Sequence, residues 1–271
     1  FKAKAPDGSL AAIKILLRHN DSFSTDDSLR RFSDEASAAS MVKAEGMVQI
    51  LGQGTDAELG PYIAYEFLPH GSLRDRIEKG KLLGPEETIE SLATPVLQAL
   101  SSLHAKGVIH RDIKPANLLL TEFGTYKVGD LGLAKFAQRT SATATGMIVG
   151  TPVYLPPERL LAYDHKGSPA GDCYAFAITL IEAMTGKLPF AKMNASQRLD
   201  MQMKASITPR QITDMGVPRV IASVLAQAMA SNPKKRISSA KEFLEQLQQA
   251  MLALSTKQGR TLALRKRAQS N

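Results

Sequence analysis

Cysteine occurs once in the 271 residues, at Cys173, so no internal disulfide can form. A single thiol fits a reducing compartment and leads us to expect a cytoplasmic protein. No apolar run reaches the roughly 18 residues of a membrane span. The nearest approach, residues 175–184, is interrupted by Glu182. The amino end has no basic region followed by an apolar stretch, so no signal peptide is read. There is no internal repeat and no low-complexity segment, and the histidines show no metal-ligand spacing. What is present is ordinary: 44% hydrophobic and 22% charged residues, which excludes disorder and collagen-like repeats. The length suits one large domain or two lobes sharing a cleft.

The formal charge is +8, but Lys257, Arg260, Arg265, Lys266 and Arg267 supply five of it within 251–271, where no acid occurs. That leaves +3 for residues 1–250. The basic end reads as a solvated tail or linker, with contact to anionic lipid headgroups as the open alternative. No stacking aromatics lie among these charges, so no nucleic-acid partner is expected.

Along the chain, residues 1–17 read as two strands joined by the Pro6-Asp7-Gly8 turn. Residues 24–43 predict a helix opened by Ser24 and Asp27, with Leu29, Phe32, Ala36 and Ala39 forming a buried face. Strand character returns over 46–68, with turns expected at Gly52, Gly54 and Gly60-Pro61. From there the pattern is helical. Residues 85–106 run from Pro85 to Gly107 with a kink or break expected at Pro95, 172–185 form an apolar helix stopped by Gly186, and 238–255 form another. The fold class expected is α+β: a small β-rich lobe, about 1–67, and a larger helical lobe, about 68–250.

The chemistry concentrates in His110-Arg111-Asp112-Ile113-Lys114-Pro115-Ala116-Asn117. Six positions of this pattern are specified, and at ordinary residue frequencies it arises at a given site about once in ten million. Asp130-Leu131-Gly132 follows, then Pro156-Pro157-Glu158, and Ala12-Ile13-Lys14 ends a strand upstream. With these motifs the chain resembles the eukaryotic-like protein kinases over nearly all of 1–250, in the style of the bacterial Ser/Thr kinases.

The resemblance implies a bilobal kinase fold and transfer of the γ-phosphoryl group of ATP to protein Ser or Thr hydroxyls. Asp112 would accept the hydroxyl proton, and Lys114 would balance charge on the transferring phosphate. Asn117 and Asp130 would ligate Mg²⁺, with Mn²⁺ an alternative, as hard oxygen donors suit. Lys14 would sit on the α- and β-phosphates and pair with a carboxylate of the 24–43 helix. Glu35 fits best because it borders the buried face; Asp34 competes, and a surface role for Glu35 stays open. Ala12 and Leu119 would sandwich adenine, Tyr65 would stand at the back of the pocket, and the backbone from Glu66 to Leu68 would hydrogen-bond the base.

Lys114 together with Thr151 in Gly150-Thr151-Pro152 resembles the Ser/Thr pattern, in which that threonine bonds to the catalytic Asp and Lys. Arg111 would pair with a phosphate on the 133–155 segment, where Thr143 and Thr145 are candidates beside Thr140 and Ser141; a plain solvated loop fits equally. Glu158 and Arg236 match an ion pair holding the substrate-side loop. Asp172 would cap the backbone near His110 and Arg111 or, more simply, its own helix. His110 reads as a core histidine with no proton to transfer.

One feature of the family is absent: no glycine-rich turn precedes the strand of Lys14. We expect Phe1 to lie already in the second strand, with the first strand upstream. A pseudokinase or ATP-binding scaffold is therefore the alternative reading, and a nucleic-acid module is a distant third.

Overall fold

The computed structural model describes residues 1–5, 7–15, 44–130, 152–160, 167–190, 193, 197, 200–202 and 206–269, without the side chains of Pro152, Leu160 and 257–269. The expected 24–43 helix lies outside the described residues.

The small lobe is an antiparallel sheet of four strands in the order β1-β2-β4-β3: β1 (Lys2–Lys4), β2 (Leu10–Ile15), β3 (Ile50–Asp56) and β4 (Gly60–Glu66). The β1–β2 hairpin closes because Asp7 accepts hydrogen bonds from the Ser9 amide at 2.9 Å and hydroxyl at 2.7 Å, while Gly8 takes φ +87°. Residue types dictate this turn: the short Asp side chain mimics backbone and Gly tolerates the left-handed region.

Gly52 and Gly54 are not turns, contrary to the sequence expectation. Both lie within β3, whose register against β4 shifts between Ile50 and Gly52. A Cβ at Gly54 would stand 2.8 Å from the Tyr62 hydroxyl oxygen, so this glycine makes room for a ring lying across the strand. The real turn runs from Asp56, whose Oδ1 accepts the Glu58 and Leu59 amides at 2.9 Å each, to Gly60 at φ +85°.

The large lobe begins with α1 (Leu73–Glu78), whose N-cap Ser72 and Asp75 form a reciprocal capping box. The helix expected over 85–106 forms as one unbroken helical run, α-helical at Pro85–Glu87, π-helical at Thr88–Ala93 and α-helical again over α2 (Thr94–Ala105). Pro95 explains the π stretch. It lacks an amide proton and would crowd a carbonyl one turn back, and the widened π turn relieves both, with Thr94 bonding to Ile89 O through its amide and, at 2.8 Å, its hydroxyl.

A two-stranded ribbon, β5 (Leu118–Leu120) and β6 (Tyr126–Val128), lies beneath the small lobe. Helix α3 (Pro169–Thr185) is buried at every position from Gly171 to Ala183, which is why its sequence is apolar on all sides apart from Asp172, Thr179 and Glu182, each of which finds a hydrogen-bond partner. It starts at Ser168, which caps the Gly171 amide, and stops at Gly186 in the left-handed conformation. Around it pack α4 (Pro209–Asp214), α5 (Arg219–Ala228) and α6 (Ala240–Gln269). Phe176 of α3 meets Phe243 of α6 edge to face at 6.2 Å. Through the basic residues of the expected tail, α6 continues as helix to Gln269. Among the described residues no helix is long and apolar enough to cross a membrane.

The segment 44–48 stitches the lobes together. Val128 N–H donates to Gly46 O at 2.8 Å and Val48 N–H to Val128 O at 2.9 Å. A Cβ at Gly46 would lie 2.4 Å from Pro95 O, so only glycine permits this approach.

Candidate active site

On β2 and β4, Ala12 stands opposite Tyr65 and Lys14 opposite Ile63. Residues opposite one another share a face, so Ala12, Lys14 and Tyr65 all lie on one side of the sheet. Ile63 is fully buried, with Ile50 and Tyr65 packed against it. Lys14 reaches across the cleft to Asp130, Nζ to Oδ1 at 2.7 Å. Asp130, separated from β6 by Gly129, adopts φ +52°, a conformation uncommon for a residue with a Cβ. Glu35, the expected partner of Lys14, lies outside the described residues, as do Thr143, Thr145 and Thr151.

Asp112 is fixed by its neighbours. Lys114 Nζ lies 3.0 and 2.8 Å from its two carboxylate oxygens. Asn117 donates through Nδ2 to the Asp112 carbonyl at 2.7 Å and to its Oδ2 at 3.1 Å, which leaves Oδ1 as the acceptor of that amide. The Gly129 amide donates to the Asn117 carbonyl at 2.9 Å, bringing the loop of Asp130 beside that of Asn117. Leu119, two residues on, faces Lys127 across the ribbon.

His110 is completely buried, and burial pushes its imidazole well below the usual value, towards the neutral form. Its Nδ1 accepts from the Asp112 amide at 3.3 Å, so its Nε2 carries the proton towards Gly129 O at 3.1 Å. Both ring nitrogens are committed to backbone.

Asp172 does not cap its own helix; Ser168 does. Its carboxylate instead accepts the amides of His110 and Arg111 at 2.9 Å each and His104 Nε2 at 2.9 Å. Burial opposes its charge, but the His104 bond and the Arg111 amide help to outweigh it and hold the carboxyl below the usual range. Arg111 itself stands at φ +68°.

Arg236 pairs bidentately with Glu158 at 2.7 Å and 2.7 Å, as the sequence led us to expect, and its guanidinium lies 4.9 Å from the centre of the Tyr174 ring. Its side chain is fully buried.

Several partners were not anticipated from sequence. Lys127 Nζ meets both Glu66 carboxylate oxygens at 2.7 and 2.8 Å, joining β4 to the ribbon, and the same carboxylate accepts the Gln49 backbone amide at 2.8 Å. Lys2 lies over the Phe67 ring at 4.7 Å. Arg74, Tyr154 and Glu182 form a half-buried triad, with Arg74 2.8 Å from Glu182 and 2.6 Å from the Tyr154 hydroxyl. Burial and the bond to Glu182 push the Tyr154 hydroxyl far up, so it remains a donor. Arg159 donates to the Arg111 carbonyl at 2.7 Å. Nothing local in the sequence signals these contacts, whose partners lie far apart along the chain.

A sheet lobe over a helical lobe, with Lys14, Asp112, Asn117 and Asp130 converging between them, is the architecture of the bilobal kinase fold. The family model for the protein kinase domain matches residues 1–250, and the chain belongs to that family. It is 32% identical over 213 residues to the serine/threonine-protein kinase PknL of Mycobacterium tuberculosis, covering 78% of this chain and 52% of that protein. It is 34% identical over 236 residues to a probable serine/threonine-protein kinase PknB of Lactococcus lactis, covering 87% of this chain and 36% of that one. To the probable serine/threonine-protein kinase CPE1738 of Clostridium perfringens it is 33% identical over 246 residues, covering 88% and 34%. The chain thus spans between a third and about half of the length of these relatives.

Proposed function

We propose that this chain is the catalytic domain of a protein serine/threonine kinase that transfers the γ-phosphoryl group of ATP to Ser and Thr hydroxyls, including those of its own 133–155 segment. The observation that carries the reading is the meeting of Lys14, Asp112, Asn117 and Asp130 across one cleft, closed by the 2.7 Å contact of Lys14 with Asp130. Asp112 accepts the proton of the acceptor hydroxyl and aims its oxygen at phosphorus. Lys114, already on both Asp112 oxygens, shifts part of its charge to the phosphoryl group as the bond to the leaving oxygen lengthens. Lys14 holds the α- and β-phosphates while it steadies Asp130, with Glu35 as its second partner. Ala12 and Leu119 enclose adenine, Tyr65 limits the depth of the pocket, and the Glu66–Leu68 backbone binds the base edge.

The donor set fits a hard divalent cation: Asn117 spends its Nδ2 on Asp112 and keeps Oδ1, and Asp130 supplies a carboxylate on the adjoining loop. Bound there, Mg²⁺ or Mn²⁺ would neutralise charge on the phosphate oxygens. By the family resemblance, a phosphate on Thr143 or Thr145 would pair with Arg111, and Thr151 would hydrogen-bond Asp112 and Lys114; the three threonines lie outside the described residues. The basic residues between Lys257 and Arg267 favour contact with anionic headgroups.

The test is label transfer from γ-labelled ATP with Mg²⁺, followed by phosphoamino-acid analysis. Asp112→Asn should lower turnover about a hundredfold or more, with nucleotide affinity retained. An unchanged rate would refute the role of Asp112. Nucleotide binding with no transfer by the unaltered protein would leave a scaffold.

A further inference from the structure

Asp112 hangs from a peptide unit that local preference does not hold. Arg111 sits at φ +68°, where a residue bearing a Cβ is disfavoured, so the Arg111–Asp112 peptide plane must be oriented by partners. Its amide end donates to His110 Nδ1 over a long 3.3 Å. Its carbonyl end accepts from Arg159 Nη1 at 2.7 Å, a charge-assisted bond and the shorter of the two. A change in the torsion about the Arg111 Cα–C bond that φ of Asp112 does not compensate turns this plane and swings the Cα–Cβ bond of Asp112, and with it the carboxylate.

Arg159 belongs to a different part of the chain. It lies in the helical turn Pro157–Leu160, directly after Glu158, which Arg236 grips at 2.7 Å through both oxygens. A continuous series of contacts therefore runs from buried Arg236 through Glu158 and Arg159 to the carbonyl beside Asp112. We infer that Arg159 is a positioning residue for Asp112: it fixes the peptide plane that aims the carboxylate, and only when the 152–160 segment is docked. The inference rests on Asp112 being the proton acceptor. It adds that the substrate-side segment completes the catalytic loop through a side chain as well as through packing.

The experiment compares the full chain with Arg159→Met, Arg159→Lys and Asp112→Asn, using γ-labelled ATP and myelin basic protein as acceptor, together with amide hydrogen exchange over residues 110–113. Arg159→Met, which keeps bulk and loses the donor, should lower kcat about tenfold, as loss of one charged hydrogen bond allows, with KM for ATP held within about twofold. Exchange over 110–113 should rise. Arg159→Lys should recover most of kcat and of the protection. Unchanged kcat and exchange in Arg159→Met, or a lysine variant no better than methionine, overturns the inference. If Arg159→Met does not fold, Arg159→Gln replaces it, with a neutral, shorter donor and an expected intermediate loss. If the unaltered protein transfers no phosphate, the kinase reading falls while exchange in the Arg159 variants still decides whether Arg159 holds this peptide.

Discussion

The carboxylate of Asp172 accepts the backbone amides of His110 and Arg111, 2.9 Å from each, and so carries two consecutive donors of a loop 61 and 62 residues away in sequence. Asp172→Ala should cost about 3 kcal/mol or more, because two buried amides and His104 lose their acceptor together. Urea unfolding measures the loss.

The same carboxyl gives a pH signature. Its folded pKa lies below the ordinary 3.8, so between the two values the unfolded chain binds the extra proton. Its stabilising contribution is complete above the unfolded value and disappears as pH falls through the folded one. Below about pH 4 the unaltered protein should lose stability more steeply than Asp172→Asn, and coincident acid profiles would contradict this.

Glu158→Ala should be costly even though Glu158 is the more exposed partner. It strands the fully buried guanidinium of Arg236, for which about 3 kcal/mol is expected. Arg236→Lys should rescue poorly, since a lysine cannot present the paired donors that meet both oxygens. Thermal unfolding of the variants checks both expectations.

The Glu66–Lys127 bridge retains between a fifth and a quarter of its side-chain exposure, so its worth is modest. Lys127→Met should lower stability by about 1 kcal/mol or less. A double-mutant cycle with Glu66→Gln should return a coupling that shrinks in high salt.

Cys173 is fully buried, and burial beside Asp172 pushes its thiol far up. It should resist thiol reagents in the folded protein and react once the chain is unfolded. Rapid labelling under native conditions would show that α3 is less enclosed than its packing indicates.

The stretch from His110 to Asn117 stood out in the sequence because several specified residue types at fixed spacing rarely coincide by chance, and the structure brings Asp112, Lys114 and Asn117 into mutual contact. The two-lobe plan was legible from the change of period after residue 68, and a disturbance near Pro95 from backbone chemistry, although it takes the form of a π-helical stretch and not of a break. Gly52 and Gly54 misled because a glycine needed to clear the Tyr62 ring looks, in sequence, like one needed for a turn. Pairings such as Arg159 with Arg111, or Lys127 with Glu66, are set by how distant elements dock, and residue identity alone does not specify them.

The three-residue strand β6 is gripped from above at two adjacent places: Lys127 by Glu66, and Val128 by the amide of Val48 and the carbonyl of Gly46. One short strand thus carries the load of the junction, while Lys14 and Asp130 meet across the cleft at 2.7 Å. A change at Lys127 or Val128 is felt in both lobes, because the same three residues are a ribbon edge for one and a foundation for the other.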